Sequence, residues 1–402
     1  MYIKCTNGSP TVDMLDHLPP LPLFVDYYGL TGSNVTLTEQ DESGIYHALQ
    51  LHDRVYHIDL KLPPSILHKV FVFLDEQFPI LEHISLTFSA TRQDIVPPTL
   101  PKAFLAPNLR YLTLPSIRPS RRLQLLTSTV FLVTLELRNI QASSYFRPRL
   151  LVARLRSLSL LEELFITFSI PLPRPSTERE LLGGQGTPIT LPSLKKFWFK
   201  GVSAYLESLI AQIRAPLLEQ LTVTLFNQIA FALPHLFHLI NITQGFKPPG
   251  TMISFCSNEV SITVTHSNSS WSRESFRFLV ICTPLDWQID CAVQICHALI
   301  PALSGVEQLS ISCDRREITT ELWDGATDSA MWHDLLAPFI GLNELNIDSM
   351  LSEEISRALQ GDEVWSDPGF LPNLRSGSPS SVVAAVAARS LQQSSTNVTA
   401  AT

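Results

Sequence analysis

Charge is scarce in this sequence. Asp, Glu, Lys and Arg make up 16% of its 402 residues, against about 25% in ordinary soluble domains, while apolar residues reach 45%. That balance excludes a wholly disordered chain, which needs few apolar groups and high charge to stay unfolded. A basic surplus is missing too: 29 Lys and Arg stand against 37 Asp and Glu, a formal net charge of −8. Nucleic-acid binding by counterion release needs a basic face, so no nucleic-acid partner is expected. Glycine is low at 16, where average usage gives about 28. Proline is high at 29, so many chain reversals are expected to use proline instead. Six cysteines (5, 256, 282, 291, 296, 313) are too sparse for a disulfide framework. No run of eighteen apolar residues exists; the stretch 229–242 is broken by Pro234, His235 and His238, so no membrane partner is expected. Residues 1–10 contain no apolar core of a secretory signal, and the sequons at Asn34, Asn241, Asn268 and Asn397 read as chance matches. The expectation is an intracellular, reduced protein, cytoplasmic or nuclear.

What is present is one recurring phrase: apolar, two variable residues, apolar, one variable residue, apolar. It reads Val55-Tyr-His-Ile58-Asp-Leu60, Leu81-Glu-His-Ile84-Ser-Leu86 and Leu109-Arg-Tyr-Leu112-Thr-Leu114. It continues through Leu132-Val-Thr-Leu135-Glu-Leu137, Leu161-Glu-Glu-Leu164-Phe-Ile166 and Leu194-Lys-Lys-Phe197-Trp-Phe199. Leu218-Glu-Gln-Leu221-Thr-Val223, Val306-Glu-Gln-Leu309-Ser-Ile311 and Leu342-Asn-Glu-Leu345-Asn-Ile347 complete it. A proline-led approach recurs as Phe78-Pro-Ile-Leu81, Ala106-Pro-Asn-Leu109, Leu191-Pro-Ser-Leu194, Ala215-Pro-Leu-Leu218 and Leu371-Pro-Asn-Leu374. The phrase is that of a leucine-rich repeat. Its last two apolar residues lie at period two on a short strand and face the same way, and stacked parallel strands bury them as columns that no single repeat could cover. From Val55 to Leu218 the intervals range from 23 residues (Leu109 to Leu132) to 33 (Leu161 to Leu194), and a long gap then separates Leu218 from Val306, so the array is irregular.

Between phrases the pattern is helical. Residues 65–78 begin on Ser65, a candidate cap, and end before Pro79; residues 203–214 place Leu206, Leu209, Ile210 and Ile213 on one face. Thr38-Glu-Gln-Asp41 reads as a capping box. Helices are also expected at 290–299, 329–340 and 352–360. Fold class is therefore α/β, an irregular leucine-rich-repeat solenoid with a curved parallel sheet and outer helices. Residues 1–20 are expected as a disordered lead-in, 21–375 as the repeat domain and 376–402 as a low-complexity disordered tail. An inserted loop is expected at about 171–190, from Pro171-Leu-Pro-Arg-Pro175 to Gly183-Gly-Gln-Gly186. Residues 251–282 lack the phrase but alternate in Val260-Ser-Ile-Thr-Val264, and are expected as irregular repeats.

Catalytic frames are missing. Cys291-Ala-Val-Gln-Ile-Cys296-His297 does not have zinc-ligand spacing, and buried thiols are the expectation. No Gly-x-Ser-x-Gly elbow surrounds a serine, and His47, His52, His57 and His83 fall in or beside repeat phrases. Gly183-Gly-Gln-Gly186 lacks the Lys-Ser/Thr of a phosphate loop. Pro171–Pro175 reads as a rigid loop rather than a polyproline ligand. No catalytic residue, metal or cofactor is expected.

Two features point to binding. From Arg118 to Arg156 there are eight arginines (118, 121, 122, 138, 147, 149, 154, 156) and one acid, Glu136. Such a patch would attract an acidic or phosphorylated partner, against the plainer reading of a solvated ridge. Strand alternation places Thr134, Glu136 and Arg138; Glu163, Phe165 and Thr167; Lys196, Trp198 and Lys200; and Gln220, Thr222 and Thr224 on a concave sheet face. Phe165 and Trp198 are large aromatics where small polar groups would suffice, which marks an interface centre unless the 171–190 loop folds over them.

The runs Leu21-Pro-Leu-Phe-Val-Asp-Tyr27, Ile45-Tyr-His-Ala-Leu-Gln-Leu-His-Asp-Arg-Val-Tyr-His-Ile58 and Phe104-Leu-Ala-Pro-Asn-Leu-Arg-Tyr-Leu112 resemble the repeat region of basidiomycete fungal F-box-type leucine-rich-repeat proteins. So do Ser144-Tyr-Phe-Arg-Pro-Arg-Leu150 and Asp362-Glu-Val-Trp-Ser-Asp-Pro-Gly-Phe370-Leu-Pro-Asn-Leu374. In that family a helical F-box ahead of the repeats docks a Skp-type adaptor of a ubiquitin ligase, and the repeats hold the substrate. Here Leu18-Pro-Pro-Leu21 is the only echo of an F-box opening, so an adaptor is expected only where an F-box stands upstream. The resemblance implies a non-catalytic module that binds a protein substrate for ubiquitination. The alternatives are a repeat scaffold without ligase role and, more weakly, a hydrolase using Cys291 or a histidine.

Overall fold

The computed structural model describes residues 1–10, 12–17, 19–29, 37–88, 100–115, 125–141, 146–169, 187–226, 233–243, 246, 250–265, 274–282, 285–313, 329–359 and 371. The chain divides into two compact units, Met1–Leu218 and Glu219–Thr402. Both are α/β with mostly parallel strands, an arrangement compatible with an α/β solenoid. Among the described residues no helix is long and apolar enough to cross a membrane.

Unit 1 holds strands β1 (Ile3–Cys5), β2 (Leu23–Tyr28), β3 (Val55–Leu62), β4 (His83–Phe88), β5 (Tyr111–Pro115), β6 (Thr134–Ile140), β7 (Glu163–Phe168), β8 (Ile189–Thr190), β9 (Lys196–Gly201) and β10 (Ile213–Arg214). Strands β1 to β7 and then β9 lie side by side in chain order, every neighbouring pair parallel. β8 pairs with β10 in a separate parallel ribbon. The phrase determines this layout. Ile58, Ile84, Leu112, Leu135, Leu164 and Phe197 share one register line and are 0–4% exposed. Burying a leucine-sized side chain contributes about 1.5–3 kcal/mol, so this column is a principal source of stability. The proline-led approach forms the turn into each phrase. Leu81, Leu109, Leu194 and Leu218 donate their N–H to the carbonyl three residues back, at Phe78, Ala106, Leu191 and Ala215. Proline then occupies the second turn position, where its fixed φ suits the turn.

Helices α1 (Val12–His17), α2 (Glu39–Gln50), α3 (Pro64–Phe73), α4 (Leu125–Ser128), α5 (Pro148–Leu155) and α6 (Ser203–Ile210) connect these strands. The capping box of α2 is present: Asp41 N–H donates to Thr38 Oγ1 at 3.1 Å, and Thr38 N–H donates to Asp41 Oδ2 at 2.9 Å. Ser65 is not a cap. α3 starts at Pro64, whose missing N–H is no loss in a first turn. Ser203 likewise opens α6 as its first residue behind Val202. The expected lead-in is also corrected, because β1 and α1 are ordered there. Cys5, fully buried, pairs with Val25 in the ladder, and three residues are too few for periodicity to announce a strand.

Unit 2 contains β11 (Gln220–Phe226), β12 (Gly250–Phe255), β13 (Glu259–Thr265), β14 (Glu274–Ile281), β15 (Gln308–Cys313) and β16 (Glu344–Ile347). Its helices are α7 (Pro234–Ile242), α8 (Leu285–Ala298), α9 (Ile300–Leu303), α10 (Ser329–Leu336) and α11 (Ser352–Leu359). Strand order is β11-β14-β13-β12-β15-β16. The region expected as irregular repeats is an antiparallel meander: β13 runs against both β12 and β14. Outside it, β11 is parallel to β14, and β15 to β12 and β16. Period-two alternation is the same for a strand running in either direction, which is why direction was not readable. The tail 376–402, most of the 171–190 loop and Leu374 lie outside the described residues.

Candidate functional site

The sheet face of unit 1 that turns away from the leucine columns carries the side chains singled out by strand alternation. Parallel register stacks equal phrase positions on one another. Glu136, Phe165 and Trp198 therefore form one line across β6, β7 and β9, and Thr134, Glu163 and Lys196 another. Phe165 and Trp198 meet at 5.9 Å between ring centroids, tilted by 41°. Trp198 is 41% exposed and Phe165 is half-buried. The Arg138 guanidinium lies over both rings, 4.9 Å from Phe165 and 5.8 Å from Trp198. A cation at that range is drawn to the negative ring faces.

Charge on this face is internally matched. Arg138 Nε is 2.9 Å from Glu136 Oε2, with its N–H off the hydrogen-bond line, and Lys196 Nζ donates to Glu163 Oε1 at 2.6 Å. Exposed pairs of this kind contribute about 0–1 kcal/mol, so their main effect is to fix side-chain positions around the two rings. Lys200 shares a register line with Thr167. A bulge at Asn139, whose φ is 55°, shifts the β6–β7 register. Asparagine tolerates this left-handed conformation better than most residues, and its N–H donates to Thr167 Oγ1 at 2.9 Å.

The remaining expected sites are more scattered. Arg118, Arg121 and Arg122 lie outside the described residues. Arg147, Arg149, Arg154 and Arg156 are in or beside α5, whose Leu151, Val152 and Leu155 are buried; Arg156 donates to Thr187 Oγ1 at 2.6 Å. Arg138 belongs to the strand, so the described arginines divide between helix and sheet. In unit 2, Thr222 and Thr224 pair with Arg277 and Leu279 of β14.

One arrangement was missed. Phe24, His57, His83 and Tyr111 occupy a single register line across β2 to β5. His57 and His83 stack at 4.2 Å and 10°, with Phe24 on the other side of His57 at 5.1 Å. The signal was in the phrases: His57, His83 and Tyr111 each stand two residues after the first apolar position. Burial holds both imidazoles below their ordinary value; for His57 the neighbouring His83 adds to it. Beside them Lys4 Nζ pairs with Asp26 Oδ2 at 2.9 Å. His47 pairs instead with Asp16 at 2.9 Å, and the His52 ring meets the edge of Phe78.

The cysteines of α8 are buried. A hydrogen bond with Cys282, and then burial, push the Cys291 thiol far up, and burial pushes Cys296 up. The same hydrogen bond draws the buried Cys282 thiol down. Among the described residues no group of three His, Cys, Asp or Glu side chains is placed to hold a metal ion.

No family model and no curated protein sequence matches this chain.

Proposed function

We propose that the chain is a non-catalytic protein-recognition module, a leucine-rich-repeat solenoid that grips a protein partner on its sheet face. The observation that supports it is the half-open pair Phe165 and Trp198 with Arg138 laid across both rings. Tryptophan and arginine dominate interface energetics where a partner excludes water from them, and here neighbouring ion pairs pre-position them. Glu136, Glu163, Lys196 and Lys200 flank this centre and would select the partner's polar groups. The resemblance described above makes that partner a substrate for ubiquitination, coupled through a Skp-type adaptor when an F-box stands upstream.

The recognition reading is tested with peptides selected from a displayed random library on the full chain. Trp198→Ala should weaken those that bind this face by about 2 kcal/mol or more, measured by fluorescence anisotropy, with the circular dichroism spectrum unchanged. A library whose every binder ignores Trp198→Ala removes the site. The ligase reading is tested separately, by co-purification of a Skp-type adaptor with a chain extended upstream. Failure of that extended chain to retain adaptor would leave a scaffold role.

A further inference from the structure

A second surface lies at the edge where the strands of unit 1 begin, and it is independent of Phe165 and Trp198. The second residue of each phrase forms a row there: Tyr56, Glu82, Arg110, Val133, Glu162 and Lys195. Each after Tyr56 donates its N–H to the carbonyl of the one before, at 2.8–3.0 Å. Polar side chains in this row engage neighbours on adjacent strands. Tyr56 Oη donates to Glu82 Oε2 at 2.7 Å, and Lys195 Nζ to Glu162 Oε2 at 3.0 Å. Arg110 is the exception. Glu82 on one side accepts from Tyr56 and forms no ion pair with Arg110, the other side is Val133, and among the described residues the guanidinium has no ion-pair or side-chain hydrogen-bond partner.

The same edge is apolar. A cleft of about 470 Å³ is lined by Ile80, Phe131 and Leu160 around Arg110, Glu82 and Tyr56. Phe131 and Leu160 are 48% and 46% exposed. A cation without a partner beside a greasy ledge complements a carboxylate carried next to a large apolar side chain. We propose that this cleft docks an extended acidic-apolar segment of a partner protein, its carboxylate on Arg110 and its apolar side chain against Phe131 and Leu160. The chain's own residues 372–402 are a poor complement, having two arginines and no aspartate or glutamate.

The experiment selects random linear peptides on the immobilised full chain and remeasures synthetic fluorescein-labelled hits by anisotropy. A class of hits should pair Asp or Glu with Phe, Leu or Trp. These should bind Arg110→Glu about tenfold more weakly, and Phe131→Ala about tenfold more weakly, while Trp198→Ala leaves them unchanged. Changing the peptide's acid to lysine should restore binding to Arg110→Glu. Both side chains are exposed, so the variants should keep the native circular dichroism spectrum, and the lysine rescue reports the contact even if one variant is perturbed. Recovery of no acidic-apolar peptide, or of such peptides indifferent to Arg110→Glu and Phe131→Ala, overturns the proposal. So does self-association of the native chain that Arg110→Glu abolishes, which would make a second copy the occupant.

Discussion

Units 1 and 2 both bury apolar strands, but they direct those strands differently, and the difference reaches the exposed face. In unit 1 every strand in the main ladder is parallel to its neighbours, so each phrase position stacks on the same position of the next repeat. Ring meets ring: His57 on His83, and Phe165 on Trp198. In unit 2 the meander of β12, β13 and β14 reverses direction twice, and neighbours come from unlike positions. Its corresponding lines read Thr222, Arg277, Thr263, Met252, Ser310, Asn346 and Thr224, Leu279, Ser261, Ser254, Ser312. Hydroxyls predominate there. Parallel repetition therefore concentrates aromatic and charged groups in unit 1, and the proposed recognition site lies there for this reason.

The largest effect should come from the column that parallel repetition builds. Leu164 is fully buried between Leu135 and Phe197. Leu164→Ala removes its contacts and leaves a cavity, at an expected cost of about 2–5 kcal/mol in urea unfolding. Stacked repeats contact chiefly their neighbours, so hydrogen exchange should quicken most in β6, β7 and β9. A uniform rise from β1 to β9 would break the picture of repeating layers.

A smaller effect of opposite sign is expected in unit 2. Thr263 is 1% exposed, and its Oγ1 has no hydrogen-bond partner among the described residues. An unmatched buried hydroxyl is costly, and an apolar group of the same shape removes that cost. Thr263→Val should stabilise the protein by about 1 kcal/mol, read as a higher urea midpoint at constant slope. A loss of stability would show that the hydroxyl is satisfied, and that this face is a polar network comparable with that of unit 1.

How much of this was readable from residues follows the same division. The nine phrases announced the columns and, by alternation, the outward direction of Glu136, Arg138, Phe165 and Trp198. They did so because side-chain period and burial are both set locally. The approach of Arg138 to both rings was not readable, since it is set by side-chain rotamers on three different strands. The histidine stack was readable in principle from equal offsets, but only once parallel pairing in register was assumed. Val260-Ser-Ile-Thr-Val264 revealed a strand and hid its direction. Arg110 was passed over because its isolation depends on which neighbours Tyr56 and Lys195 engage, a fact about adjacent strands and not about its own phrase.

The smallest expected effect concerns pH, and it sharpens the contrast because unit 2 has no described histidine stack. His57 and His83 face Phe24 and Tyr111 along their line, with Asp26, Asp59, Glu136 and Lys4 acting on them electrostatically. Burial, joined for His57 by the adjacent imidazole, lowers both below the ordinary 6.5 and outweighs the carboxylates. In the unfolded chain each histidine takes up its proton near pH 6.5, while in the folded chain it does so only at lower pH. The unfolded state thus binds more protons in that window, so stability is full above pH 6.5 and declines as pH falls toward the folded values. The effect stays small because both rings are only half-buried. Asp41 acts in a separate window: burial opposes its ionisation, but hydrogen bonds from Thr38 and Gly8 hold it below 3.8, so its contribution is lost only at more acidic pH. Urea midpoints of the native chain should therefore drop between pH 7 and 5, and the drop should shrink in His57→Phe and His83→Phe. An equal drop in both variants would place the titrating group elsewhere and remove the stack from the account of unit 1.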